Sequence, residues 1–205
     1  MSEAGSKFGA LGPTVEEAQK TGFFTWFHLA ETGSQAAGNG RTKVEFRPTG
    51  EKFHDLAKLV VECEDATRVI RSLELRLART FIESRGNGPF AADITKSFLI
   101  SATPEADEEA VSPVAHEITE RAYSAGGVIY GPGYQRPVLP EKPRPGFLVY
   151  VGQRAEAKIA LTELVVWFRN VAEEGAATFS VAITEDAGWA SGGLRASRKI
   201  LRKLF

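Results

Sequence analysis

Apolar and polar positions along this chain follow two different periods, and each change of period marks an element. From Thr42 to Arg47, Val44 and Phe46 fall on one face and Lys43, Glu45 and Arg47 on the other, the two-residue repeat of a half-buried strand, with Pro48-Thr49-Gly50 to turn it. Leu59, Val60 and Val61 form a short strand core able to pair with it as a hairpin. Asp65 then offers an N-cap to a helix in which Val69, Ile70, Leu73, Leu77 and Phe81 recur at helical spacing, ending where Gly86, Gly88 and Pro89 forbid continuation. The apolar run Phe98-Leu99-Ile100 predicts a strand over Ser97 to Ala102, followed by a helix from Ala106 to about Ser124 that Pro113 kinks or breaks. Phe147 to Val151 predicts another strand. Between Ala155 and Glu174, Leu161, Leu164, Val165, Phe168 and Val171 share a helical face, while the β-branched content fits a strand equally. Thr178 to Thr184 predicts the last strand, and Gly192 to Phe205 a terminal helix.

Alternating strands and helices predict one α/β domain: a mixed sheet of about four to six strands flanked by helices, since crossover helices join parallel neighbours. Residues 1–40 read as an N-terminal arm ahead of a domain spanning residues 41–205. In the arm, Thr14 caps a short helix with Glu17 as its capping-box partner. Phe23, Phe24, Trp26 and Phe27 carry too much apolar area to stand in water, so they are expected to dock on the domain body or on another subunit. Gly33 to Gly40 reads as a flexible connection. No internal repeat is present.

Composition narrows the function. The 25 Lys and Arg nearly balance the 26 Asp and Glu, so no overall field draws the protein onto nucleic acid or an acidic membrane, and any such binding has to be local. A single cysteine and three histidines exclude an intramolecular disulfide and a cysteine-rich metal site, which points to a reducing, cytoplasmic setting. Met1 to Lys20 lacks the cationic start and apolar run of a signal peptide, and no apolar stretch is long enough to span a bilayer.

Acidic residues gather where strands are expected to give way to helices: Glu62, Glu64 and Asp65; Glu105 and Asp107; Glu185 and Asp186. Ligands collect at such strand ends in open α/β sheets. The run Leu59-Val60-Val61-Glu62-Cys63-Glu64-Asp65, followed by Glu105 and Asp107, partly resembles the Toprim arrangement over roughly a quarter of the chain. That resemblance implies Mg²⁺ held by Glu62, Glu64, Glu105 and Asp107 for phosphoryl transfer or phosphodiester cleavage. Cys63 stands where that family has glycine and the first aspartate of its acidic pair is missing, so the family is not assigned. Helix dipoles alone also place acids at these positions.

His116 and Glu120 stand at the i, i+4 spacing of helical zinc ligands, a pattern that a solvated acidic face produces as well. Cys63, inside an apolar run, reads as a core residue. Five of the ten prolines fall between Pro132 and Pro145, in a stiffened loop that holds Tyr130, Tyr134 and Arg136 out as candidate ligand-binding groups or simply packs over the sheet edge. Arg195, Arg198, Lys199, Arg202 and Lys203 form a basic amphipathic tail suited to nucleic acid, to an anionic surface or to an acidic neighbour, although cations at a helix C-terminus also serve its dipole. The leading expectation is a non-catalytic interaction or assembly protein without a cofactor, binding a protein partner or a second copy through the aromatic arm and the tail. A Mg²⁺-dependent enzyme is the first alternative. A nucleic-acid module using Arg68, Arg71, Arg76 and Arg79 with the tail is the second.

Overall fold

The computed structural model describes residues 11–131, 133–173 and 175–185. Two short helices, α1 (Val15–Ala18) and α2 (Gly22–Trp26), precede a meander of four strands: β1 (Leu29–Gly38), β2 (Arg41–Pro48), β3 (Ala57–Glu64) and β4 (Ile70–Ala78), with helix α3 (Glu51–His54) between β2 and β3. A helical excursion follows, made of α4 (Arg79–Glu83), α5 (Gly88–Ala102), α6 (Glu108–Gly126) and α7 (Pro145–Tyr150). A second meander, β5 (Glu156–Ala160), β6 (Val165–Glu173) and β7 (Ala176–Thr184), completes a seven-stranded sheet in the order β1-β2-β3-β4-β7-β6-β5.

Every pairing among these strands is antiparallel, so the expected mixed sheet of four to six strands is corrected on both arrangement and count. The helices do not cross over between parallel neighbours. Helices α4 to α7 fill one excursion, after which β7 returns to pair with β4, Leu75 opposite Val181. Antiparallel sheets commonly present one apolar and one polar face, and the register shows it here. Phe46, Leu59, Leu75, Val181, Phe168 and Ala157 run in one row across six strands, all at most 8% exposed. The helices cover this face. In α7, a Cβ on Gly146 would lie 2.9 Å from Val114 of α6 and 3.3 Å from the Phe168 ring, so only glycine lets α7 approach this closely.

Several elements differ from expectation for identifiable reasons. The helix expected from Asp65 is strand β4: Leu73, Leu75 and Leu77 alternate with Glu74 and Arg76, and a place between β3 and β7 buries all three leucines. The strand expected at Ser97 to Ala102 is the last part of α5, which has Pro89 in its first turn and buries Ala91, Ile94, Thr95, Phe98 and Ala102 at helical spacing. The Phe147 to Val151 segment belongs to α7, which Pro145 starts. The described part of the Ala155 to Glu174 segment is strand rather than helix, holding β5 and the whole of β6. Helix α6 runs through Pro113 without a break. The expected flexible connection Gly33 to Gly40 is most of β1, joined to β2 by the two-residue turn Asn39-Gly40, whose φ values of 54° and 70° match the right-handed twist of a hairpin. The terminal helix expected at 192–205 lies outside the described residues.

The Thr14 capping box is present as expected, with Thr14 N–H donating to Glu17 Oε2 at 2.7 Å and Glu17 N–H to Thr14 Oγ1 at 3.3 Å. Of the aromatic arm, Phe23 and Phe24 are 2% exposed and dock on the domain body: Phe23 meets Phe98 at 5.8 Å, and Phe24 stands edge-on to Phe46 at 5.2 Å. Trp26, in the same helix, is 70% exposed. Phe24→Ala is therefore expected to cost about 3–5 kcal/mol in urea denaturation and Trp26→Ala less than about 0.5 kcal/mol.

Candidate partner-binding surface

Helix α6 organises this surface. Glu117 and Glu120, three residues apart and therefore on neighbouring positions of one helical face, are 0% and 4% exposed. A buried carboxylate needs cations or donors around it, and residues 127–144 supply them. Tyr130 donates its hydroxyl to Glu120 Oε2 at 2.7 Å, and Tyr134 donates to Oε1. At the other end of the loop, Arg144 gives Glu117 both its backbone N–H and a guanidinium N–H, each at 3.2 Å. Arg121 bonds Glu117 at 2.9 Å, donates to the Pro140 carbonyl at 3.2 Å and lies over the Phe147 ring. Two carboxylates of one helix thus strap down both ends of the proline-rich loop.

Between the straps, the three expected ligand-binding residues come together. The Tyr130 and Tyr134 rings stack at 4.3 Å with 7° between their planes, and the Arg136 guanidinium lies 4.6 Å from the Tyr130 ring centre. Desolvation and then the Glu120 hydrogen bond push the Tyr130 phenol up to about 12. For Tyr134 the Glu120 bond is the first cause of a rise. Tyr123 donates to Asp93, and its phenol is raised by burial and then by that carboxylate. The Tyr130 ring is half-buried and Tyr134 remains 49% exposed, while Ile129 and Val138 stand in water, 93% and 99% exposed.

The same end of the helical layer carries aromatic side chains from three other elements. Phe27 packs on Phe90 of α5 at 5.7 Å, and Phe53 of α3 packs on Phe90 at 4.8 Å; all three are only partly buried. Exposed Trp26 adjoins Phe27. Pro89, next to Phe90, touches the end of α6, where a Cβ on Gly126 would lie 2.6 Å from its ring, and Gly127 at φ 71° then turns the chain out toward Ile129. Trp26, Phe27, Phe53, Phe90 and Ile129 therefore belong to one end of the molecule. Sequence reasoning missed Phe53, Phe90 and the strap role of Glu117. The available signal was two acids one turn apart on a helix otherwise rich in buried apolar positions.

The remaining candidates are placed as follows. Glu62 pairs with Arg41 at 2.9 Å and Lys43 at 3.9 Å, and Glu64 with Arg71 and Thr67. Asp107 accepts from the backbone N–H and hydroxyl of Thr162 at 2.9 and 2.8 Å, and Glu105 is exposed. These four carboxylates do not converge, and among the described residues no three His, Cys, Asp or Glu side chains form a metal-binding group. Glu120 serves the two tyrosines, and His116 is held below its ordinary range by partial burial and then by Lys96. Cys63 is buried, which raises its thiol. Arg68 pairs with Glu16 and Glu31, Arg71 with Glu64 and Glu185, Arg76 with Glu74 and Glu173, and Arg79 with Glu83, so this arginine set is neutralised within the chain. On the polar face of the sheet, two shallow hollows of about 440 and 350 Å³ share Lys58, Arg76 and Glu173, already paired with one another. Arg195, Arg198, Lys199, Arg202 and Lys203 lie outside the described residues. No described helix is long and apolar enough to cross a membrane. In comparisons with known proteins the chain matches no family model, no curated protein and no solved structure.

Two measurements check the straps. Glu117→Ala leaves Arg121 and Arg144 without their buried acceptor and is expected to cost about 2–3 kcal/mol while speeding amide exchange across residues 128–144. In an ultraviolet titration the neutral Tyr130 phenol belongs to the folded state. Its stabilisation is present below pH 10, the ordinary phenol value, and is lost as pH rises toward about 12. Glu120→Gln is expected to move the Tyr130 and Tyr134 transitions down toward pH 10, and unchanged transitions would contradict the strap.

Proposed function

We propose that this chain is a non-catalytic interaction protein that takes a protein partner on the end formed by Trp26, Phe27, Phe53, Phe90 and Ile129. The observation that carries this reading is the exposure of Trp26, 70%, and Ile129, 93%, beside partly buried phenylalanines on an otherwise well-packed molecule. Aromatic and aliphatic groups collected at one end and left in water are characteristic of recognition surfaces, where tryptophan, tyrosine and arginine contribute most of the binding energy. The straps support it further. A loop already ordered by Glu117, Glu120 and its prolines loses little entropy when a partner covers it. Chemistry at the strand ends has less support, because Glu62, Glu64 and Asp107 already have cationic or hydroxyl partners. The reading requires no cofactor.

A photo-crosslinking residue placed at position 26, at 129 or, as a control, at exposed Glu109 tests it in cells expressing the full chain. Positions 26 and 129 are expected to yield the same adduct and position 109 none. Serine at the other position is expected to weaken capture about thirtyfold, the equivalent of about 2 kcal/mol for a lost anchor. Equal labelling from all three positions, or none from 26 and 129, would overturn the proposal.

A further inference from the structure

Two of the three asparagines in the chain, Asn39 and Asn87, precede glycine. In this dipeptide the following backbone nitrogen can attack the side-chain amide, because glycine places no Cβ in the way. The fold treats the two pairs differently. Asn39 and Gly40 are both exposed at the tip of the β1–β2 hairpin. The Gly40 carbonyl accepts from Asp65 N–H at 2.9 Å, whereas its own N–H donates no backbone hydrogen bond among the described residues. Gly88, in contrast, is buried, donates its N–H to the Ser84 carbonyl at 2.6 Å and opens α5. Its backbone lies so close to the Ile82 carbonyl that even a Cβ would stand 2.7 Å away. Attack by that nitrogen requires the start of α5 to come apart.

We infer that Asn39 is a site of spontaneous deamidation and isoaspartate formation in the folded protein, and that Asn87 is protected. The Gly40 nitrogen gives up its proton to solvent and bonds to Asn39 Cγ. The Cγ–Nδ2 bond breaks, and the nitrogen leaves as ammonia after taking up a proton. Water then opens the five-membered imide at either carbonyl, giving aspartate or isoaspartate. Water is the only co-reactant, and nothing is oxidised or reduced.

The product matters to the hairpin. Isoaspartate adds one carbon to the main chain at a turn whose two residues both hold positive φ, so the Gly38–Arg41 register can no longer close as before. A new carboxylate also arises two residues before Arg41, already bound to Glu62 at 2.9 Å, and next to Gly40, whose carbonyl accepts from Asp65 N–H. Faster amide exchange along β1 is the expected consequence.

The test incubates the full chain at mildly alkaline pH and body temperature, folded and in concentrated urea. Digestion, mass spectrometry and an isoaspartate-specific methyltransferase then read each site. In urea the two sites are expected to convert at similar rates. In the folded chain the peptide bearing residue 39 is expected to gain about 1 Da and accept methyl groups at least about tenfold faster than the peptide bearing residue 87. Comparable rates at both sites in the folded chain would overturn the inference, as would an Asn39 that stays intact when folded while converting in urea.

Discussion

Burial of one face of the β4–β7 junction is the constraint on which the remaining structure depends. Strands from two meanders, separated in sequence by the whole helical excursion, meet there as Leu73 opposite Ile183, Leu75 opposite Val181 and Leu77 opposite Phe179. Each of these side chains is at most 1% exposed, and burying a leucine or phenylalanine is worth about 1.5–3 kcal/mol. The face has to be covered, and α5, α6 and α7 cover it. Once α6 lies there, its C-terminus fixes where the proline-rich loop departs, Glu117 near its middle fixes where the loop returns at Arg144, and α5 brings Phe90 beside the arm.

The opposite face follows different physics. Lys58, Arg76, Ser180 and Arg169 lie in one row across β3, β4, β7 and β6, with Glu74 in the next row. Burial alone would raise the Glu74 carboxyl, yet hydrogen bonds from Arg76 and Ser180 hold it below the ordinary range. Charge on this face is matched internally, strand against strand. Near neutrality in composition is thus reproduced locally, and a stripe of uncompensated arginine for a polyanion does not arise among the described residues.

How much of this was legible depends on whether a pattern fits one period or two. Thr42 to Arg47 fits only the strand repeat and is a strand. Residues 69–81 satisfy both: Ile70, Leu73, Leu77 and Phe81 suit a helix, while Leu73, Leu75 and Leu77 suit a strand. Only the partners β3 and β7 decide, and they are distant in sequence. Phe98-Leu99-Ile100 resembles a strand in isolation, but the small buried residues Ala91, Ala92 and Ala102 extend the pattern to helical length. Asn39-Gly40 was a local hairpin signal obscured by the small residues before it. At the surface, Tyr130, Tyr134 and Arg136 were legible as a group because proline stiffening marks a presented loop. Phe53 and Phe90 were not, since each looks like an ordinary core residue until the fold brings α3 against the start of α5.

The interaction reading depends on the contrast between a well-buried apolar core and one end where Trp26 and Ile129 stay in water. Phe23 and Phe24 show that the fold can absorb aromatic rings from the arm. Trp26, two residues on, stays in water, and so does Ile129 on a loop that two buried carboxylates hold in place. Oxidative footprinting of Trp26, comparing purified chain with the same chain inside its cell, addresses the central claim most directly. A covered surface predicts strong protection of Trp26 in the cell, with exposed control residues away from this end, such as Lys158 of β5, labelled alike in both settings. Equal oxidation of Trp26 in both would contradict it.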